Sequence, residues 1–299
     1  MTTPFRFFPV RVKAIEDLTP GFRRFTFADP SLASFADPGF DQRIKLLFPI
    51  EGIGYEALMG AEDWYGTWRA LPDGERHPLR TYTTRYVRAG EQELDVDVVV
   101  HGVVGPASRW IEYAEVGDEL LILGPNAEYE GEPGGVDFVP PERTDRFLIA
   151  GDETAAPAIA VALEQLPDSA RGIAVVEVPE TADAAYLPAH PGIEVRAVAR
   201  DGREHGEALI DATRAAVAEL APAGEPQQVE EIDIDSTTLW EVPRHAKGGA
   251  ALKRTSLYAW LAGEAGAVKT LRRHLVSERG IDRRSVAFMG YWRIGKAEN

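Results

Sequence analysis

The sequence predicts two domains of different class. A six-stranded antiparallel β-barrel of Greek-key type comes first, and a parallel-sheet α/β domain follows. Three observations carry that expectation. Residues 5–124 hold six short runs rich in β-formers, bounded by Gly, Pro or Asp, with one helical stretch before the last. Residues 126–145 are rich in Gly, Pro and acid, as linkers are. From residue 146 onward, apolar strand runs alternate with helical ones.

The barrel strands are expected at 5–13, 22–28, 43–48, 79–88, 93–101 and 118–124. Gly90 turns the fourth into the fifth, and Leu94–Val100 opens with apolar–acid alternation. Pro106 stands near the first position of a short helix through Ala114. Residues 50–78, with Trp64, Tyr65 and Trp68, are too long for a structureless connection, so a short helix or a cover over one edge is expected there. The boundaries expected are 1–125 for the barrel, 126–145 for the linker and 146–299 for the α/β domain.

In the second domain Arg146–Gly151 reads as a buried strand. Thr154 is a plausible N-cap for the helix that follows, with Pro157 in its first turn and Ile159, Leu163 and Leu166 on one face. Strands follow at 172–178, 193–199, 255–263 and 285–293, and helices at 207–220 and 265–279, the last ended by Gly280. Residues 221–250 interrupt the rhythm with an acidic, irregular stretch.

With 299 residues, 44% of them hydrophobic and 27% charged, a folded two-domain chain is expected. The net charge of −16 makes nucleic acid a poor partner, because phosphate backbones need clustered Lys and Arg. The absence of cysteine removes disulfides, iron–sulfur clusters and thiolate chemistry together. The six His show no metal-ligand spacing on a helix, so no protein-bound metal is expected. No basic segment leads an apolar run at the start, and no run is long enough to span a bilayer. A cytoplasmic location with no stable membrane association is the default expectation.

The stretch that stands out is Leu79–Arg88. Read as one strand, it puts Arg80, Tyr82, Thr84, Tyr86 and Arg88 on one face and Thr81, Thr83, Arg85 and Val87 on the other. So many polar groups do not make an ordinary core strand. A Tyr ring suits a planar ligand, a Thr hydroxyl a ring heteroatom, and an Arg fork a phosphate. A solvated strand with cross-strand charge pairs explains the same residues.

Three turns join strands to helices. His101-Gly102 and Gly105-Pro106-Ala107-Ser108 make the first, where free N–H groups and the helix dipole favour an anion. The second, Gly151–Ala158, carries Asp152, Glu153 and Thr154 but not Gly-x-Gly-x-x-Gly. Its acids are expected to stabilise a helix start rather than do acid–base chemistry. The third is Gly263-Glu264-Ala265-Gly266, ahead of Arg272 and Arg273, which suit either a dinucleotide phosphate or a solvated helix face.

Arg80-x-Tyr82-Thr83 resembles the flavin-binding strand of the ferredoxin reductase-like flavoproteins. The longer Arg80–Arg85 run resembles one branch of them, the siderophore-interacting proteins. So do His101-Gly102 with Gly105–Ser108, Gly151–Ala158, Trp240–Pro243, Tyr258–Glu264 and Phe288–Lys296. The departures are a long 50–78 segment, and Ala155-Ala156 where a larger apolar residue is common.

The resemblance implies FAD, with Tyr82 against the isoalloxazine, Thr83 near its N5 and Arg80 on the phosphates. Thr84, Arg85, His101, Gly102, Gly105, Ala107, Ser108 and Thr154 complete that cofactor set. It implies NADH or NADPH at Thr154, Gly263, Glu264 and Arg272, with a ferredoxin as alternative donor. It implies a ferric siderophore at Lys45, Arg85 and Arg293. Because the flavin does the electron transfer, no catalytic side chain is expected. The expected activity is NAD(P)H-dependent ferric-siderophore reduction by a monomer. A general flavin or quinone reductase, or a siderophore carrier with a structural flavin, remain as alternatives.

Overall fold

A computed structural model of the chain describes residues 2–221, 224, 232–234, 238–243 and 252–296. It has two compact units: residues 1–18 with 22–135, and residues 19–21 with 136–298. The division falls inside the stretch expected to be the linker.

The first unit is a curled antiparallel sheet. Its strands are β1 (Phe5–Thr19), β2 (Phe22–Ala28), β3 (Arg43–Leu47), β4 (Leu79–Thr83), β5 (Tyr86–Arg88), β6 (Glu93–Val99) and β7 (Glu119–Pro125). They lie in the order β4-β3-β7-β1-β2-β6-β5. Seven strands replace the expected six because the 79–88 stretch is two strands. β4 pairs with β3 and β5 with β6, at opposite ends of the sheet. Thr84 and Arg85 cross the gap: the Thr84 N–H donates to Gln42 O and the Arg85 N–H to Asp95 O. The expected face of alternating Arg80 to Arg88 is therefore broken, since Thr83, Thr84 and Arg85 are buried in succession.

Inside the curl pack Phe8, Val10, Phe25, Phe27, Ile44, Leu46, Val96 and Ile122, with Ala107 and Ile111 from α3 (Pro106–Tyr113). The opposite face of β3, β4 and β7 carries Leu47, Leu79, Leu121 and Leu123. The 50–78 segment covers it with two short helices, α1 (Glu56–Met59) and α2 (Trp64–Ala70). Trp68 of α2 is buried there and its Nε1–H donates to His77 O at 2.8 Å.

β6 is buried on both faces, contrary to the alternation read from its sequence. Its acids face arginines instead of water. Asp97 accepts from Arg24 at 2.7 and 2.8 Å, and Asp95 from Arg88 at 2.7 and 2.8 Å.

The second unit holds a six-stranded sheet with helices packed against it. Its elements are β8 (Arg143–Thr144), β9 (Phe147–Gly151), α4 (Ala156–Gln165), β10 (Gly172–Val178), β11 (Ile193–Ala199), α5 (Glu207–Leu220), β12 (Trp240–Glu241), β13 (Arg254–Thr255), β14 (Tyr258–Glu264), α6 (Ala265–Arg272) and β15 (Val286–Trp292). β8 and β13 form a separate small parallel pair. The main order is β11-β10-β9-β14-β15-β12, parallel except for β12. Near-continuous apolar runs such as Phe147–Gly151 suit strands covered on both faces. The chain order reverses between β9 and β14, which makes their carboxyl ends the switch point where open α/β sheets bind ligands. Most of residues 221–250 lies outside the described residues. Among the described residues, no helix is long and apolar enough to cross a membrane.

Candidate functional site

In the first unit the candidate residues cluster on β4 and its neighbours. β3–β4 register sets Lys45 opposite Thr81, and Lys45 Nζ donates to Thr81 Oγ1 at 3.2 Å. Arg80 and Tyr82 point to the other side, opposite Leu46 and Ile44, and Tyr82 packs against the barrel core. Thr83 is buried at the strand end. Arg80 Nη1 donates to the Leu79 carbonyl at 2.7 Å, which folds its guanidinium back along the strand.

Arg85 was expected to face a ligand, and the structure gives it other work. Its side chain is 5% exposed, its Nε lies 3.3 Å from Asp97 Oδ2, and its guanidinium sits 4.2 Å from the Tyr86 ring centre. The strand break turns this residue inward, so a siderophore contact from Arg85 is not carried forward.

His101 and Gly102 lie exposed before α3. Ser108 Oγ accepts from the N–H groups of Val104 and Gly105, at 2.9 Å each, and donates to Gly105 O. Its hydroxyl thus shapes the turn. Ala107 is buried under the helix and contributes its backbone alone. The first-turn N–H groups of α3 have no intrahelical acceptor. Space for a phosphate is present: nothing lies within 4 Å of where a Cβ would stand at Gly102 or Gly105. These residues fit a flavin nucleotide, with a planar-ring strand on one element and an open anion turn on another.

In the second unit the switch point is organised by Asp152. Its Oδ1 accepts from Thr154 N–H (2.9 Å) and Thr154 Oγ1 (2.5 Å). Its Oδ2 accepts from Glu264 N–H (2.7 Å) and Trp292 Nε1 (2.9 Å). One fully buried carboxylate therefore ties together the ends of β9, β14 and β15. Thr154 is not the N-cap of α4; Ala155 holds that position, and Asp152 has claimed the threonine. Gly263 is required here, with φ at +140° and Asp152 Oδ2 2.5 Å from any added Cβ. Glu264 caps α6 by accepting from Ala267 N–H at 2.9 Å.

Arg272, expected to reach a phosphate, is buried and bonded to Glu241 at 3.0 and 3.1 Å. The structure spends that guanidinium on holding α6 to β12. Arg293 Nη1 donates to Ile234 O at 2.9 Å.

Sequence reasoning missed the charge cluster beside Asp152. Glu153 is gripped by Arg200 at 2.7 and 2.9 Å and accepts from His205 Nε2 at 3.3 Å. Glu177, fully buried, accepts from the N–H groups of Gly206 and Leu209 and from Arg200. An acid inside the apolar run Gly172–Val178 was the available signal; nothing in the sequence marked His205. Asp152, Glu153 and His205 each bring a ligand atom within 4.8 Å of the others, as a metal site would. Every oxygen of these carboxylates already accepts from a protein donor. Burial, then the charge of Glu153, pushes Asp152 up to about 6. Burial also raises Glu153, but its bonds from His205 and Arg200 outweigh that and hold it low. Burial pulls His205 down, and the neighbouring carboxylates more than reverse it.

The first unit matches the family model described as the siderophore-interacting FAD-binding domain, over residues 11–129. The second matches the siderophore-interacting protein model over residues 144–295. The chain belongs to the siderophore-interacting protein family. An uncharacterized protein of Mycobacterium tuberculosis is 33% identical over 96% of this chain and 90% of its own length. The ferric vibriobactin reductase ViuB of Vibrio cholerae is 29% identical over 92% and 85%. The NADPH-dependent ferric-chelate reductase of Escherichia coli is 27% identical over 96% and 93%. Among solved structures, a siderophore utilization protein from T. fusca superposes with a TM-score of 0.69 at 27% identity, covering 100% of this chain and 97% of that one. Membership bears out the expected fold class and assigns FAD to the first unit.

Proposed function

We propose that the chain is an FAD-dependent ferric-siderophore reductase fed by NAD(P)H. One observation carries the reading: a cation, Lys45, is fixed against Thr81 on the strand beside the candidate flavin strand, in a protein of net charge −16. An anionic ferric chelate needs such a local exception to the overall field. The named activities of the Vibrio and Escherichia relatives point the same way.

Tyr82 and Thr83 would hold the flavin ring, and Arg80 with the 101–108 turn its phosphates. Bound FAD would supply the conversion of a two-electron hydride into single electrons. One NAD(P)H thus balances two Fe(III), giving NAD(P)⁺, a proton and two Fe(II). Thr154 and Gly263 stand at the sheet edge where the nicotinamide nucleotide is proposed to bind. Lys45 is the proposed chelate contact in the first unit. The iron arrives already coordinated, so the chain needs no ligand of its own for it.

Steady-state kinetics test this. Lys45→Ala should raise KM for an anionic ferric catecholate several-fold, leaving FAD content and bleaching by NAD(P)H normal, and salt should weaken wild-type KM similarly. Unaltered KM at low salt would remove Lys45 from the site. A wild-type preference for quinones over ferric chelates would make the chain a general reductase.

A further inference from the structure

Asp152 links the ends of three strands, and the link is strongest when its carboxyl is ionised. Thr154 donates to Oδ1 through its N–H and its hydroxyl, while Glu264 N–H and Trp292 Nε1 donate to Oδ2. Three of these four donors are N–H groups, which cannot accept in return. Every bond is charge-assisted while the carboxylate carries its charge, and protonation weakens all of them together.

Ionisation is costly at this position. Asp152 is fully buried and Glu153 stands beside it, which pushes its carboxyl up to about 6. Arg200 is spent on Glu153 and Glu177. Among the described residues, His205 is the one cationic group in ion-pair range of Asp152, with Nε2 3.9 Å from Oδ2. The ring is held there by the Glu153 bond at 3.3 Å and by edge-on contact with the Trp292 indole, ring centres 4.8 Å apart. Its other nitrogen, Nδ1, lies 3.8 Å from Glu177 Oε1 and makes no hydrogen bond. Both ring nitrogens therefore face carboxylates, a setting that favours the imidazolium. Burial opposes that charge, and the carboxylates outweigh it.

We propose that His205 is a positioning residue for the donor site: its imidazolium keeps Asp152 ionised, and the ionised carboxylate holds Thr154, the Gly263-Glu264 turn and Trp292 in the arrangement that takes up the nicotinamide nucleotide. The inference rests on the proposed donor site at the carboxyl edge of the second sheet. It gives a use to a buried carboxylate whose ionised form costs the fold stability.

Two measurements on the FAD-loaded protein test it. One follows the carbon-13 carboxyl signal of Asp152 against pH. The other is calorimetric titration with tetrahydro-NAD, which has the shape of NADH and donates no hydride. Asp152 should titrate near pH 6 in wild type. In His205→Gln, which keeps an N–H for Glu153 and loses the charge, it should titrate about one pH unit higher, the least that an opposite charge within about 4–6 Å contributes. The ionised fraction divides the dissociation constant, so His205→Gln should bind roughly 5-fold more weakly than wild type at about pH 6 and equally at about pH 8.5. Recovery at high pH is the signature that a merely structural role does not give. Asp152→Asn, which carries no charge at any pH, should bind weakly at both, and normal binding by that variant would sink the inference. So would an unchanged Asp152 titration, or an unchanged dissociation constant at about pH 6, in His205→Gln; the donor site would still stand. Weak binding that persists at about pH 8.5 makes His205 structural and overturns the proposal too. Wild type that binds no tetrahydro-NAD at either pH overturns both the inference and the donor half of the proposed function. Far-UV circular dichroism checks that each variant is folded.

Discussion

Replacing Asp97 by Asn should destabilise the first unit by about 3 kcal/mol. The carboxylate has no exposed surface and holds Arg24 through two bonds, at 2.7 and 2.8 Å, with Arg85 at 3.3 Å. Asn has nearly the same shape, so packing is unchanged. It removes the countercharge from two guanidiniums and turns an NH₂ toward their N–H groups. Breaking one side of a buried pair costs about 3–5 kcal/mol. Arg24 remains 19% exposed, so water offsets part of the loss and the lower end applies. At a urea m-value of about 3 kcal/mol/M the midpoint should fall by roughly 1 M. The assay is equilibrium urea unfolding of wild type, Asp97→Asn and the triple variant Asp97→Leu with Arg24→Met and Arg85→Met. The triple variant should recover part of the loss, because apolar replacement of a whole buried ion cluster is often nearly neutral. A midpoint shift under about 0.3 M for Asp97→Asn would show that water already screens the pair, and the reasoning would be wrong.

Three further outcomes are expected. Asp152 and His205 are both held above their ordinary values, so the stability they contribute is present at lower pH. It is lost as pH rises through about 6 for Asp152, and above 6.5 for His205; Glu153 works in reverse below 4.5. Thermal unfolding should therefore be most resistant at about pH 4, where Asp152 has only begun to lose its contribution and Glu153 keeps most of its own, and His205→Gln should flatten the limb above 6.5. Gly105→Val should cost far more FAD, by visible absorbance of the purified protein, than Ser108→Ala, since the turn is open for backbone approach and the hydroxyl only shapes it. Gly263→Ala, which places a methyl against Asp152, should slow flavin bleaching by NAD(P)H at least tenfold in stopped flow, while chemically reduced protein reoxidises normally with a ferric chelate.

The architecture was legible because it rests on local periodicity. The five parallel strands of the second unit's main sheet are apolar runs that lie within a few residues of where the pattern puts them, whereas the two-residue strands β8 and β12 fall in stretches read as linker and as irregular. The break at Thr84 was not legible. Alternation continues through it in sequence, and only the demand that one stretch serve both ends of a curled sheet interrupts it. The site was legible as residue types, not as partnerships. Arg85, Arg272 and Thr154 have the right chemistry for ligands, but Asp97, Glu241 and Asp152 claim them, and those partners lie 12, 31 and 2 residues away in sequence. Long-range ion pairing leaves no trace in a local pattern, which is also why His205 went unnoticed.

The sheet order has a consequence for the chain as it is made. β7 is wedged between β1 and β3, pairing Pro125 with Phe5 and Leu123 with Lys45. At synthesis rates of about 5–20 residues per second, β1 waits roughly 6 to 24 seconds for its partner. Throughout that interval the nascent chain presents one side of β1 and one side of β3 as unpaired edges, the kind of surface on which strands of other chains add. A ribosome stalled before residue 119 would hold it in that state, and the last strand of the unit is the one that ends its exposure.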